Sequence, residues 1–304
     1  MSSDESRPRT PWYKKTRYVI LVGLLVILLV VSLVPAILPA PPVSKDQHAL
    51  NLTVDYFANN YNSTTGLIPE VPNGSVFWLY SDNYLASLAL LRYDSANQST
   101  VAFAQALDAA LEGYYSTLPK VYAQNQYTAL NSTTASFLCS QKLTIGWTGS
   151  TNSSIKLGGN TNISTTSNSG PNACATANYS DLLFLQAIYF HHQGNDTQAL
   201  TLFKLAQADF DGKGIVDQAN AAGSYQTYKL ALYVYTSTCL NQAPTDTKLS
   251  TVETTMLKQQ DNSTGGFYSG YDSSLSHGTA TLNTESTAMA ALALELMINP
   301  NSVC

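Results

Sequence analysis

GLIPEVPNGSVFWLYSDNYLASLALLRY, residues 66–93, contains the repeating unit from which the chain is built. It follows Asn62-Ser-Thr-Thr, and a glycine at position 66 supplies the left-handed backbone that ends a helix, after which Leu67 and Ile68 fold back onto a core. Beyond a loop rich in Pro, Asn and Gly, apolar residues between Tyr84 and Leu91 recur at three- and four-residue spacing, which predicts a new helix. The turn returns as Asp211-Gly-Lys-Gly214-Ile215 and as Asp261-Asn-Ser-Thr-Gly265-Gly266-Phe267, and helical spacing returns over 103–111, 182–190, 200–208, 230–235 and 289–296. Pairing these segments gives four helical hairpins, 46–95, 99–193, 197–238 and 246–297, a period that marks stacked units. The second is interrupted over about 119–177, where KLTIGWTG (142–149) and SIKLGG (154–159) predict a small β-hairpin within a Ser/Thr/Asn-rich excursion.

Ahead of the hairpins, residues 18–34 read YVILVGLLVILLVVSLV without a charge, and the apolar run extends to Ala40, the roughly 20 residues that a bilayer requires. Arg7, Arg9, Lys14, Lys15 and Arg17 precede it against Asp4 and Glu5, so the positive-inside rule puts the N-terminus in the cytoplasm. Pro41-Pro42 makes a poor site for signal cleavage, which favours an uncleaved anchor. The expected layout is a cytoplasmic tail at 1–17, a transmembrane helix at 18–40, a linker at 41–50 and an extracellular domain at 51–304.

Ten Asn-X-Ser/Thr sequons, at Asn51, Asn62, Asn73, Asn97, Asn131, Asn152, Asn162, Asn178, Asn195 and Asn262, all lie beyond the membrane segment and predict a surface covered by N-glycans. All four cysteines, Cys139, Cys174, Cys239 and Cys304, lie on that same outer, oxidising side and predict two disulfides. Three pairings are open; Cys139 with Cys174 and Cys239 with Cys304 is favoured. Charged residues make up only 12% of the chain and the net charge is -5, which excludes a nucleic-acid binder because nothing neutralises a run of phosphates.

The stretch 66–93, together with STGGFYSG at 263–270 and LNTESTAMAALALEL at 282–296, resembles units of the α/α-toroid class, which includes six-hairpin glycosidases and terpenoid-cyclase-like domains. The resemblance covers most of 50–297, with four hairpins where that class usually has six. Together with the membrane segment and the insertion read above, it gives a mainly α fold as the expectation: an N-terminal transmembrane helix plus an α/α toroid-like array of about four helical hairpins with a small β-containing insertion. It also implies functional groups in the loops at the starts of the inner helices, which converge on one mouth.

Those starts are Tyr80-Ser81-Asp82, Tyr179-Ser180-Asp181, Ser224-Tyr225-Gln226 and Thr284-Glu285-Ser286. Stacked repeats would place Asp82, Asp181 and Glu285 round one rim, where two carboxyls across a sugar act as acid and as base or nucleophile. The same residues also fit plain helix capping, since Ser and Asp satisfy free amides and favour the positive end of the dipole. Trp78, Tyr80, Tyr268 and Tyr271, with Phe77 and Phe267, are candidate stacking surfaces for sugar rings or else packing residues; Glu70 and His277 are further loop candidates.

Asp209, Asp211, Gly214 and Asp217 match part of a calcium loop, but Lys213 and Asn220 stand where oxygen ligands belong, so the segment reads as a turn and no metal or cofactor is expected. The chain lacks a nucleophile elbow, a P-loop, a dinucleotide fingerprint and an HExxH helix. The expected function is that of a single-pass cell-surface glycoprotein of the cell envelope, binding or structural, that interacts with carbohydrate. The alternatives are a membrane-tethered glycoside hydrolase or polysaccharide lyase, and an accessory subunit of a membrane complex. Its expected partners are the lipid bilayer, covalent N-glycans, carbohydrate and envelope or membrane-complex proteins.

Overall fold

The computed structural model describes residues 43–74, 78–93, 97–114, 141–145, 154–156, 162–167 and 178–300; for the strands between 141 and 167, and for Tyr80 and Tyr114, only the backbone is described. The expected tail and membrane helix, Phe77, Asn131, Asn152, Cys139, Cys174 and Cys304 lie outside these residues. Among the described residues, no helix is long and apolar enough to cross a membrane.

The elements in chain order are α1 (Lys45–Asn60), β1 (Trp78–Leu79), α2 (Tyr80–Tyr93), α3 (Gln98–Tyr114), β2 (Gln141–Ile145), β3 (Ser154–Lys156), β4 (Asn162–Ser167), α4 (Ser180–His192), α5 (Asp196–Ala208), β5 (Ser224–Gln226), α6 (Thr227–Cys239), α7 (Leu249–Leu257), β6 (Phe267–Tyr268), β7 (Gly270–Asp272), β8 (Leu282–Asn283) and α8 (Thr284–Ile298). The fold is mainly helical with a small strand content, as expected. Helix α1 begins inside the stretch read as a linker, because the Ser44 hydroxyl accepts from the Gln47 amide and Lys45 pairs with Glu253 of α7.

Helices α2, α8, α6 and α4 pack side by side in that order, and each is backed by another: α3 on α2, α1 on α8, α7 on α6 and α5 on α4. The inner position follows from sequence. Ser286 to Leu296 of α8 and Lys229 to Cys239 of α6 are buried without a break, and a helix that is apolar on every face belongs in the interior. Tyr233 of α6 meets Phe184, Phe203 and Phe210 at centroid distances of 5.5, 5.6 and 6.1 Å, tying α6 to α4 and α5.

The helices pair one step out of the expected phase. The ranges 46–95, 99–193, 197–238 and 246–297 join each outer helix to the inner helix that follows it, whereas packing joins α3, α5 and α7 to the inner helix that precedes each. Short connections favour antiparallel neighbours, and the links before α3, α5 and α7 are shorter than the turn-and-strand segments that lead into α2, α6 and α8. That leaves α1 to back α8 from the other end of the chain, where Gln260 Nε2 donates to the Ala49 carbonyl at 2.9 Å.

The repeated turns take one form. Asn62 Oδ1 accepts from the Thr64 and Thr65 amides, Asp211 Oδ1 from Lys213 and Gly214, and Asp261 Oδ1 from Ser263. Bridges Asn62–Leu67, Phe210–Ile215 and Gln260–Phe267 close them. Gly265, at φ +81°, lies against the Leu52 carbonyl of α1, so a side chain is excluded there on two grounds.

Beyond these turns, β5 pairs antiparallel with β7 and β6 with β8, which fastens together the loops that lead into α6 and α8. In the insertion the expected hairpin is replaced by a sheet of order β1-β2-β4-β3: β2 and β3 do not pair with each other, and both pair with β4, the Asn/Ser/Thr strand read as polar excursion.

Candidate functional site at the inner-helix mouth

The starts of the inner helices are held by neighbouring loops. Asn83, fully buried, accepts from the Ile68 amide at 2.7 Å and donates to the Ile68 and Leu79 carbonyls at 2.9 Å each, fixing the 66–70 loop over the start of α2. The same loop is bound to α8: the Thr284 hydroxyl donates to the Pro69 carbonyl at 2.6 Å, the Thr284 amide to the Glu70 carbonyl at 2.9 Å, and Asn283 Nδ2 to Glu70 Oε1 at 3.0 Å.

This strap carries Glu70 to Asp82. Asp82 is fully buried, receives the Ser81 hydroxyl at 3.0 Å, and is within hydrogen-bonding reach of Glu70. Neither Asp82 Oδ2 nor Glu70 Oε2 has an N–H or O–H partner, so the two carboxyls can bond only by keeping a proton between them. Burial, then the Glu70 carboxyl, then the Glu285 charge push Asp82 well above the usual carboxylate range. Tyr56 of α1, buried and close to the same pair, is pushed up to about 12, chiefly by burial.

Glu285 links the two sides of the mouth, since its charge raises both Asp82 and Tyr228. The Tyr228 hydroxyl donates to Asp181 Oδ2 at 2.7 Å, and burial followed by the Asp181 and Glu285 charges pushes this phenol well above its usual value. Asp181 Oδ1 is buried without a partner. Asp82, Glu285 and Asp181, from three inner helices, thus enter one electrostatic neighbourhood.

Side-chain capping does not account for Asp181 or Glu285. At α8 the cap is Asn283, whose Oδ1 accepts from the Ser286 amide at 3.0 Å, and α4 has no side-chain cap bond at its start. The capping asparagine stands three residues before Ser286, a spacing visible in the sequence. Tyr228, in contrast, is one aromatic among nineteen tyrosines and carries no local signal.

Behind Tyr228, Lys229 is fully buried and donates to Asp217 Oδ2 at 2.6 Å and Asn220 Oδ1 at 2.9 Å. Asp217 also receives the Ser180 amide at 2.9 Å, which joins the starts of α4 and α6. The calcium-like segment is this framework. Asp209 accepts from the Ser180 hydroxyl, Asp211 from two amides and the Tyr225 hydroxyl, and Asp217 from Lys229. Among the described residues, no group of His, Cys, Asp and Glu could hold a metal ion.

The candidate aromatics divide. Trp78 and Tyr271 are 3% and 4% exposed; Tyr271 packs on Tyr225 and donates to the Lys213 carbonyl at 2.9 Å, so both present little ring surface. Tyr268 is half-buried and stacks on His277 at 3.7 Å and 9°, while the Tyr80 side chain lies outside the described atoms. Of the sequons, Asn73, Asn97, Asn178, Asn195 and Asn262 are exposed, Asn51 and Asn62 are half-buried, and Asn162 lies in β4. Cys239 is buried at the end of α6, and among the described residues no cysteine is free.

No family model matches the chain, and no curated protein matches it. Among solved structures the chain is similar to an inactive variant of an α-1,6-mannanase from Salegentibacter sp. HEL1_6 in complex with α-1,6-mannotriose, at 13% identity and a TM-score of 0.30, over 84% of this chain and 65% of that one. So loose a superposition fixes neither the fold nor the site of this chain, which stand on its own geometry.

Proposed function

We propose that the chain is a single-pass, N-in cell-surface glycoprotein of the cell envelope whose α/α toroid-like domain binds carbohydrate at the inner-helix mouth. One observation carries this reading: Asp82, Glu285 and Asp181 come from three separate inner helices and are coupled through Glu70 and Tyr228. Carboxylates and a phenol held in a fixed ring suit the hydroxyls of a sugar, which donate and accept in turn. The anchor, the glycans and the disulfides of the sequence reading complete the proposal.

Glycoside hydrolysis is the second reading, and it is favoured by Asp82, which burial and the neighbouring Glu70 and Glu285 carboxyls raise well above the usual carboxylate range. A carboxyl raised by its surroundings suits the general acid of glycosidic cleavage, with Glu285 as the candidate second carboxyl. The test uses the full chain in detergent against a panel of neutral oligosaccharides, followed by titration calorimetry and by reducing-end release. Saturable binding weakened about tenfold by Glu285→Gln or Asp181→Asn supports the binding reading. Release of reducing ends that is lost in Asp82→Asn and Glu285→Gln supports the hydrolase, and neither binding nor release refutes both.

A further inference from the structure

Beside the acidic mouth, and separate from it, a cleft of about 380 Å³ opens over the paired strands β5 and β7, between the loops that precede α6 and α8. None of Glu70, Asp82, Asp181, Tyr228 or Glu285 lines it. Its volume lies at the low end of the range for small-molecule sites.

The shape of the cleft is fixed by its floor. Tyr225 and Tyr271 face each other across the strand pair at a centroid distance of 5.3 Å, and each hydroxyl is tied back, Tyr225 to Asp211 and Tyr271 to the Lys213 carbonyl. Gly270 allows the strands to approach, since a Cβ there would lie 2.8 Å from the Tyr225 carbonyl oxygen. On the far wall His277 is held flat by the Tyr268 ring, and its Nε2 is without a hydrogen-bond partner. Gln226, Ser224, Ser269 and Thr279 also line the cleft, and their side chains make no hydrogen bond among the described residues.

This chemistry selects the ligand by elimination. No Lys or Arg lines the cleft; of the cations behind it, Lys229 is paired with Asp217, and the charge of Lys213 falls on Asp211 and Asp272, so a phosphate, sulfate or uronate has no free counter-charge there. The lining holds a single acid, Asp272, whose Oδ1 accepts from the Ser274 and Ser276 amides and the Ser274 hydroxyl, and one exposed carboxylate does not make a cation site. An apolar ligand would bury the unpaired amide and hydroxyls at a cost. A compact ligand with many hydroxyls satisfies them, while the buried Tyr225–Tyr271 pair beneath keeps the strand pair rigid.

We propose that this cleft is a subsite for a neutral sugar unit, with Gln226, Ser269 and His277 as its hydrogen-bonding residues on the rigid β5–β7 strand pair. The proposal rests on the carbohydrate reading above only for its choice of probes.

The experiment is titration of the full chain in detergent with neutral disaccharides (maltose, cellobiose and mannobiose) and with digalacturonate, read by saturation-transfer NMR and calorimetry. At least one neutral disaccharide is expected to bind while digalacturonate does not, and Gln226→Ala and His277→Ala are each expected to weaken binding about tenfold with unchanged melting temperature. Lys204→Ala, on the exposed face of α5, serves as the control that binds as the native chain does. If a variant melts early, Ser269→Ala and Thr279→Ala carry the same test at residues with less packing.

Tighter binding of digalacturonate, or native affinity in the cleft variants, overturns the subsite; so does failure of all three disaccharides to bind. Binding that is lost in Glu285→Gln but kept in the cleft variants would remove the cleft and leave the mouth standing, whereas the reverse pattern would remove the mouth and leave the cleft.

Discussion

Replacing Lys229 by Met tests whether the mouth is held by the buried ion pair behind it. Lys229 and Asp217 are 0% and 1% exposed at their side chains, so the substitution leaves a carboxylate in the interior without its cation. Breaking one partner of such a pair costs about 3–5 kcal/mol. Asp217 keeps three backbone donors, the Ser180, Ala219 and Asn220 amides, which argues for the lower end. For a domain of this size about 3 kcal/mol corresponds to a fall in melting temperature of roughly 6–12 °C. The assay is thermal unfolding of the full chain in detergent, read by near-ultraviolet circular dichroism.

Two controls separate charge from packing. Lys229→Met combined with Asp217→Asn removes the stranded charge and is expected to recover most of the loss, because a neutral amide is far cheaper to bury. The pH dependence supplies the second. Burial pushes Asp217 up, but Lys229, the Ser180 amide and the Ala219 amide outweigh it and hold the carboxyl below the usual range. A depressed acid stabilises the fold above its unfolded pKa of about 4, and that contribution is lost as the pH falls through the folded value. Lys229→Met should therefore shrink the acid limb of the stability curve. A single variant that loses less than about 1 kcal/mol, or a double variant no better than the single, refutes the reasoning.

Two further outcomes follow from the same geometry. Asp82 is raised, so the native state favours its protonated form and loses stability as the pH climbs from about 4 through the folded value; Asp82→Asn should flatten the melting temperature over that range, and parallel curves for the two proteins would exclude the shared proton. Gly265→Ala should cost more than about 2 kcal/mol by urea unfolding, since φ is +81° and the Cβ would run into the Leu52 carbonyl, whereas Gly212→Ala, at φ +96° in open space, should cost only about 1 kcal/mol; equal losses would show that the approach of the turn to α1 is not tight.

Most helices were legible because their apolar residues recur at helical spacing and their turns repeat around Gly66, Gly214 and Gly265. The pairing of helices was not, since an amphipathic face says that a partner exists and not which one. Strand β4 has no strand signal in sequence because its Asn, Ser and Thr residues match a polar loop, and two-residue strands such as β6 and β8 have no period. At the mouth, Asp82, Asp181 and Glu285 were visible as heads of repeated helices. Glu70 was visible only as a loop acid, and its approach to Asp82 depends on the Asn83 and Thr284 strap. The Tyr228–Asp181 bond joins residues 47 positions apart, a relation that only the packing of α4 against α6 creates.

The place of α8 has a consequence for biosynthesis. Of the eight described helices it leaves the ribosome last, yet it lies between α2 and α6 and also receives α1, so three of the packing surfaces of the array have no partner until it emerges. The earlier helices must wait with those surfaces open, and the domain closes in a late, long-range step that couples its first and last helices. Translation that stalls before residue 284 therefore yields a chain with exposed apolar faces on α1, α2 and α6, a ready substrate for chaperones and proteases, and not a smaller folded domain.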